Sequence, residues 1–183
     1  LVSQAMRDDV GAAGPWLRYP DGVTRSAGIV FGHPGELFMH AYRGLQGDDI
    51  GHMGRAHLCQ RYSAVDGVCI ATRRAVFERL GGFDTQLFGK TLWDLDYCLR
   101  LRRLLKRATV WTPYARIIHR EWFPRESGAT DDEIRSERAA FATAWEAELA
   151  SEDPCFNPNL DVRDPRFFYA WPPRVDNPWA KGQ

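Results

Sequence analysis

The stretch from residue 64 to residue 106 constrains the fold most, because its hydrophobic pattern changes there from that of a strand to that of helices. An apolar run predicts a buried strand over residues 65–71. Thr72 is placed to cap a helix over residues 73–80, and a glycine pair follows where helices commonly end in the left-handed conformation. A strand that leads directly into a capped helix is typical of α/β proteins.

A second helix is predicted over residues 92–106, with Asp94 and Asp96 in its first turn. The free backbone N–H groups of a helix start stabilise carboxylates by roughly 0.3–1 kcal/mol, so we expect both to be ionised at neutral pH. Residues two apart do not share a helix face. We therefore expect one carboxylate to face a cleft and the other to cap the helix or pair with an arginine. Acidic residues that simply favour the first helical turn are the alternative. The apolar stripe of this helix is Tyr97, Cys98, Leu101, Leu104 and Leu105.

Further strands are predicted on both sides of this stretch. Residues 19–22 read Tyr-Pro-Asp-Gly, which favours a tight turn between the first two strands. Residues 32–60 show neither strand nor helix periodicity, which predicts a long loop, and such loops are usually functional or mobile. The predicted flanking strands cover residues 10–19, 23–31, 108–112 and 115–118.

The last part of the chain divides into a helix and an irregular tail. Thr130 and Glu133 have the spacing of a capping box, which predicts a helix to about residue 150. Its expected buried stripe is Ile134, Phe141, Trp145 and Leu149. Prolines and aromatic residues alternate beyond Ser151, so we expect a tail over residues 151–183 that packs on a domain formed by residues 1–150. The aromatic anchors of that tail would be Phe167, Phe168, Tyr169 and Trp171.

The overall charge excludes some partners. The 24 basic residues balance the 24 acidic ones, which leaves no electrostatic footprint for nucleic acid and no attraction to an anionic membrane. No stretch approaches the roughly 20 apolar residues that a membrane span needs. The four cysteines lack CxxC spacing, and we expect reduced thiols in a cytosolic protein. The chain begins with Leu1, and residues 1–7 resemble the end of a helix, so we expect an excerpt of a longer protein.

Histidines supply the other candidate site residues. His119 follows a predicted strand end, where a neutral imidazole can bind a divalent metal or orient a phosphate, although a lone histidine is more often structural. The loop over residues 32–60 carries further histidines. Their spacing matches no helix-borne zinc site, so a metallohydrolase ranks last among the functions considered for this chain. Phosphate-binding loops and a GxSxG nucleophile motif are absent from the sequence. The loop histidines are His33, His40, His52 and His57.

Taken together, these motifs resemble the inverting family 2 glycosyltransferases of bacterial surface-polysaccharide synthesis, in the O-antigen and rhamnosyltransferase-like branch. The similar segments follow the family order along nearly the whole chain. The resemblance implies an α/β fold, a partial GT-A mixed sheet flanked by helices with an irregular proline- and aromatic-rich tail. Residues 1–150 would be its C-terminal, acceptor-side part. The matching segments are residues 10–14, 19–22, 41–44, 63–67, 81–84, 94–101, 111–115, 119, 153–160 and 172–174.

The resemblance also implies the reaction. An acceptor hydroxyl would displace a nucleoside diphosphate from the anomeric carbon of a nucleotide sugar with inversion, and Asp94 would accept the proton as general base. His119 would contact a divalent metal or the diphosphate. The acceptor would be a glycan or a lipid-linked glycan. Its expected contacts are His40, Arg43, Trp93 and Asp96.

Two departures from the family pattern concern the metal geometry. Trp93 stands where the family often has a small polar or acidic residue, and residues 119–122 read His-Arg-Glu-Trp where it often has His-x-Glu-Ser. The family's nucleotide-binding strands and Asp-x-Asp motif have no counterpart in this chain. We therefore expect Mn²⁺ or Mg²⁺ in the complete enzyme, no organic cofactor, and little activity from this chain alone.

A truncated sheet predicts self-association through an unpaired strand edge. We expect a cytoplasmic location, with peripheral association at the inner face of the cell membrane left open. The rival hypothesis is a non-catalytic carbohydrate-binding or scaffolding module, in which Trp93 and Trp122 would stack on sugars.

Overall fold

The computed structural model describes residues 1–32, 35–120 and 128–175. They form a mixed β-sheet flanked by helices and followed by irregular chain, so the predicted fold class is confirmed. The division into a domain over residues 1–150 and a tail stays a prediction. The strands are β1 (Val10–Arg18), β2 (Thr24–Ser26), β3 (Ile29–Phe31), β4 (Phe38–His40), β5 (Gln60–Tyr62), β6 (Ala71–Thr72) and β7 (Ala108–Ile118).

The larger sheet has the order β2-β1-β7-β5, and β6 also pairs with β1. β1 and β7 run parallel, whereas β2, β5 and β6 join them in antiparallel pairs. β1 is the central strand and is buried over residues 10–17, which explains its run of small and apolar residues. β3 and β4 form a separate two-stranded sheet.

Local sequence signals fix several helix ends. Gly81 ends α2 with φ 83° and ψ 17°, the left-handed conformation that glycine adopts without steric cost. Asp84 caps α3 by accepting hydrogen bonds from two backbone N–H groups. Thr130 and Glu133 form the predicted capping box of α5. The helices are α1 (Val2–Ala5), α2 (Arg74–Leu80), α3 (Thr85–Phe88), α4 (Trp93–Leu105), α5 (Asp131–Ala144) and α6 (Glu146–Ala150).

Helix α4 packs on the central strands through the predicted stripe. Tyr97, Cys98 and Leu101 are buried. A Cβ atom on Gly11 of β1 would lie 2.7 Å from Leu101 Cδ2, so the helix approaches the strand as closely as glycine permits. Leu104 is 60% exposed, and its predicted burial is wrong because the chain turns toward β7 at the next residues.

The strand predicted over residues 65–71 is wrong. Ala64 makes an isolated bridge to Ile29, residues 66–70 lie outside strands, and only Ala71–Thr72 pairs with β1. Thr72 is not the cap of α2, because its hydroxyl bonds the Gly11 carbonyl and the Tyr97 hydroxyl. Arg73 occupies the N-cap position instead.

Other predicted elements have different bounds. The strand predicted over residues 23–31 is two strands, and Gly28 between them has a φ of 111°. The predicted loop contains β4 and a 3-10 segment at His52–His57. β7 is one strand, in which a bulge around Pro113 shifts the register against β1.

The third predicted helix is interrupted at Trp145, which separates α5 from α6. Phe141 and Trp145 are buried as predicted. In the tail, Phe167 is buried. The other three predicted anchors are exposed, namely Phe168, Tyr169 and Trp171.

Candidate functional site

Asp94 lies in the first turn of α4 and is 9% exposed. One carboxylate oxygen, Oδ2, accepts a hydrogen bond from the Gly67 backbone N–H at 2.6 Å, and Oδ1 accepts one from the Leu95 N–H at 2.9 Å. The pKa of Asp94 is raised to about 7, first by burial and second by the charge of Asp66, while the two backbone hydrogen bonds oppose the rise. The expectation that the helix start keeps Asp94 ionised is therefore corrected, because desolvation outweighs the helix N–H groups. A pKa of about 7 suits a group that accepts a proton near neutral pH.

Gly67 is required beside Asp94 for steric reasons. A Cβ atom at this position would lie 2.5 Å from Trp93 Cη2 and 2.9 Å from Asp94 Cβ. The Trp93 ring also packs against Phe83, with 4.5 Å between ring centroids. Trp93 is thus half-buried between the Gly67 turn and Phe83, and its predicted role as an acceptor contact stays a prediction.

A second buried carboxylate, Asp66, lies next to Asp94. Asp66 Oδ1 accepts a hydrogen bond from the Val68 N–H at 3.0 Å, and Oδ2 forms an ion pair with Arg25 of β2. His40 Nδ1 lies 3.7 Å from the same Oδ2 and 2.9 Å from Ser26 Oγ. The structure therefore assembles side chains from β2, β4 and the turn after Ala64 beside Asp94.

Sequence reasoning missed most of this cluster. Arg25 and Ser26 are separated from Asp66 by about forty residues of chain that carried no pairing signal. The one available signal was that Asp66 lies within a segment, residues 63–67, on which the family resemblance rests. Of the predicted acceptor contacts, only His40 joins the cluster directly.

Asp96 faces away from this cluster into the protein. Its Oδ2 accepts a hydrogen bond from Arg100 Nε at 2.7 Å, and its Oδ1 accepts one from Trp145 Nε1 at 3.2 Å. Burial raises the pKa of Asp96, and the bond and charge of Arg100 oppose that rise. Of the two expected roles, capping the helix or pairing with an arginine, Asp96 has the pairing with an arginine. Asp96 is 3% exposed, so its role as an acceptor contact stays a prediction that this geometry does not favour.

Arg43 and His40 line one open groove of about 420 Å³. Arg43 is exposed, and the groove is completed by α5 and by the tail through Arg138 and Arg163. Arg138 forms an ion pair with Glu36, and Arg163 forms one with Asp161. His40 thus lies both in this groove and near the Asp66 carboxylate.

His119 lies directly after β7, where its backbone N–H donates to the Arg18 carbonyl at 2.8 Å. β1 lies between this strand and β2, the strand that carries Arg25 and Ser26. The predicted contact of His119 with a metal or diphosphate stays a prediction. Trp122 and His33, also named from the sequence, lie outside the described residues.

The loop histidines that the structure describes, His40, His52 and His57, have different neighbours. His52 packs edge-on against Tyr169 with 4.7 Å between ring centroids, and His57 packs against Trp16 at 6.0 Å. Within residues 1–32, 35–120 and 128–175, no group of three or more histidine, cysteine, aspartate or glutamate side chains could hold a metal ion. The described residues alone do not fit a divalent metal. In the same part of the chain, no helix has the length and apolar character of a membrane span.

The fold and site together define an α/β protein with a buried carboxylate, Asp94, at a helix start and with an open polar groove lined by His40 and Arg43. Comparison with known proteins adds two similarities. The chain is 32% identical over 175 residues to the uncharacterized protein y4gI of Sinorhizobium fredii, covering 94% of this chain and 19% of that protein. It is 34% identical over 164 residues to the O-antigen biosynthesis protein RfbC of Myxococcus xanthus, covering 88% of this chain and 12% of that protein.

The chain therefore spans less than a fifth of the length of either relative. The second similarity relates it to a protein named for surface-polysaccharide biosynthesis. No protein-family model matches the chain, and no solved structure gives a significant match.

Proposed function

We propose that this chain is the acceptor-side part of an inverting glycosyltransferase, with Asp94 as its general base. The observation that carries the proposal is the environment of Asp94, a carboxyl 9% exposed at a helix start whose pKa is raised to about 7. A general base is most effective when its pKa lies near the working pH. The relation to an O-antigen biosynthesis protein supports a role in surface-polysaccharide synthesis.

The proposed reaction is a single in-line displacement. The acceptor hydroxyl oxygen bonds to the anomeric carbon while the bond from that carbon to the nucleoside diphosphate breaks. The hydroxyl proton passes to the Asp94 carboxylate, and the leaving diphosphate carries away the bonding electron pair. The Gly67 and Leu95 N–H groups hold the carboxylate in one orientation. This preorganisation lowers the entropy cost of reaching a reactive geometry.

The groove beside His40 is the proposed acceptor site. Its lining combines three arginines with His40 and the Glu36 carboxylate, donors and acceptors that suit the many hydroxyl groups of a glycan. Arg43 is exposed in this groove, where a hydroxyl or a phosphate of a lipid-linked glycan could reach it. The acceptor would be a glycan or a lipid-linked glycan.

The donor side would be supplied by other parts of a longer protein, as the small share of each relative's length suggests. There the nucleotide sugar would bind with Mn²⁺ or Mg²⁺, which would neutralise the leaving diphosphate. We expect a cytoplasmic enzyme, consistent with its nucleotide-sugar donor.

The test is an Asp94→Asn substitution in the complete protein, assayed for transfer from a panel of radiolabelled nucleotide sugars to endogenous glycan acceptors. Loss of a general base predicts a fall in kcat of about 10²–10⁴-fold, with acceptor binding retained. Glu78→Gln is the control, because Glu78 lies on the exposed side of α2 in an ion pair with Arg74.

Full transfer by the Asp94→Asn protein would contradict the role of Asp94 as general base. Glycan binding without transfer by the unaltered complete protein would favour the rival, a non-catalytic carbohydrate-binding or scaffolding module. Strong transfer by the 183-residue chain alone would contradict the assignment of the donor side to other parts of the protein.

A further inference from the structure

Asp66 has no role in the proposed reaction, yet its turn supplies the Gly67 N–H that binds the base. We propose that Asp66 is a positioning residue for Asp94, which fixes the turn that binds the base and keeps a negative charge beside it. That Asp94 is the base rests on the proposed function. The effect of Asp66 on Asp94 can be measured without an activity assay.

The turn at Asp66 sets the orientation of Asp94. Asp66 Oδ1 accepts the Val68 N–H at 3.0 Å and so closes a short turn over residues 66–68. The N–H at the centre of that turn, from Gly67, is the donor that holds Asp94 Oδ2 at 2.6 Å. Fixing the turn therefore fixes the orientation of the base.

The turn is also anchored to the sheet, through the side chain of Asp66. Asp66 Oδ2 forms an ion pair with Arg25 of β2, and His40 of β4 lies 3.7 Å from that oxygen. Both Asp66 and Arg25 are largely shielded from water, with side-chain exposures of 10% and 19%. A shielded ion pair of this kind holds its geometry better than one exposed to solvent.

Asp66 also acts on Asp94 through its charge. Two carboxyl groups that share a buried region disfavour ionising together, and the charge of Asp66 is the largest influence on Asp94 after burial itself. Within the cluster, the guanidinium of Arg25 pairs with Asp66 Oδ2, and His40 Nδ1 lies 3.7 Å from the same oxygen. On α4 itself, the charge of Asp96 is matched by Arg100, and the buried Cys98 thiol is neutral because burial raises its pKa to about 12.

The test is a carboxyl-carbon NMR titration of the 183-residue chain and its Asp66→Asn and Asp66→Ser variants. Both replacements keep an oxygen that can accept the Val68 N–H, but they remove the charge. We expect the Asp94 midpoint to fall by on the order of one pH unit in both variants. The Asp96 carboxyl in the same spectra is the internal control, because it faces Arg100 and Trp145 and its midpoint is expected to stay in place.

An Asp66→Glu variant keeps the charge and is expected to retain most of the native Asp94 midpoint. An Asp94 midpoint that is unchanged in the Asn and Ser variants would overturn the inference. Failure of both variants to fold would overturn it as well, since Asp66 would then act on the fold rather than on Asp94.

In the complete protein, the acid limb of the pH–kcat profile should move to lower pH in the Asp66→Asn variant, in the direction of the NMR shift. A merely structural role would lower kcat without moving that limb. If the NMR shift occurs but Asp94→Asn transfers sugar normally, the proposed function fails while the action of Asp66 on Asp94 stands.

Discussion

The backbone N–H of Gly67 donates a hydrogen bond of 2.6 Å to the Asp94 carboxylate, across 27 residues of sequence. This bond joins the turn at Asp66 to the first turn of α4, and it is made where a side chain at position 67 would collide with Trp93 and Asp94. The orientation of the candidate base therefore depends on a glycine outside its own helix.

We predict that Gly67→Ala destabilises the chain by about 1–3 kcal/mol, the usual cost of an added methyl group in a packed site. The measurement is urea unfolding of the two proteins. Because the methyl would meet the far edge of the Trp93 ring, the cost should be smaller in a Trp93→Leu background. Equal costs in both backgrounds would show that Trp93 is not the obstacle.

The stability of the chain should fall with rising pH because of Asp94. Its folded-state pKa of about 7 lies above the ordinary value of 3.8. At pH values between these two, the folded state keeps the Asp94 proton, whereas the unfolded state has lost it. The resulting stability is fully present below about pH 4, is lost as pH rises toward 7, and amounts to about 4 kcal/mol at most. Asp94→Asn should remove this dependence. The check is the unfolding free energy of both proteins at pH 5 and pH 8. Relative to the native protein, the Asn variant should be more stable at pH 8 than at pH 5.

The ion pair of Asp96 and Arg100 should contribute far more to stability than a similar pair on the surface. Arg100→Met leaves a carboxylate that is 3% exposed without its cation, and we expect a loss of about 3–5 kcal/mol. The matched control is Arg74→Met, since Arg74 and Glu78 have the same i,i+4 spacing but Arg74 is 89% exposed. That change should alter stability by about 0.5 kcal/mol or less. Similar losses in thermal or urea unfolding would contradict the assignment of Asp96 to a buried structural pair.

Glu137 should anchor the segment that leads into α4. This buried side chain of α5 accepts hydrogen bonds from the Lys90 N–H, the Thr91 N–H and the Thr91 hydroxyl. Glu137→Ala leaves these donors unsatisfied, and we expect a loss of about 2–4 kcal/mol in unfolding free energy. Glu152→Ala, at an exposed position in irregular chain, is the control and should change stability little. Equal stability of the two variants would contradict this role.

Local sequence signals predicted those parts of the fold that depend on a few neighbouring residues. The capping box at Thr130, the left-handed end of α2 at Gly81 and the start of α4 near Asp94 are all present. Each depends on backbone hydrogen bonds or on a conformation that one residue type favours. The strand predicted over residues 65–71 failed for the opposite reason, because an apolar run of that length is compatible with a buried turn as well as with a strand.

The sequence by itself indicated that two carboxylates open a helix, and that one of them would cap the helix or pair with an arginine. Only the tertiary structure decided that Asp96 is the paired one and that Asp94 lies beside Asp66, Arg25 and His40. The physical reason is that helix starts and caps are formed within a few residues, whereas burial and the distance between charges depend on how separate strands and turns pack. The pKa of Asp94, raised by burial above the value that its helix position alone would give, is a property of that packing.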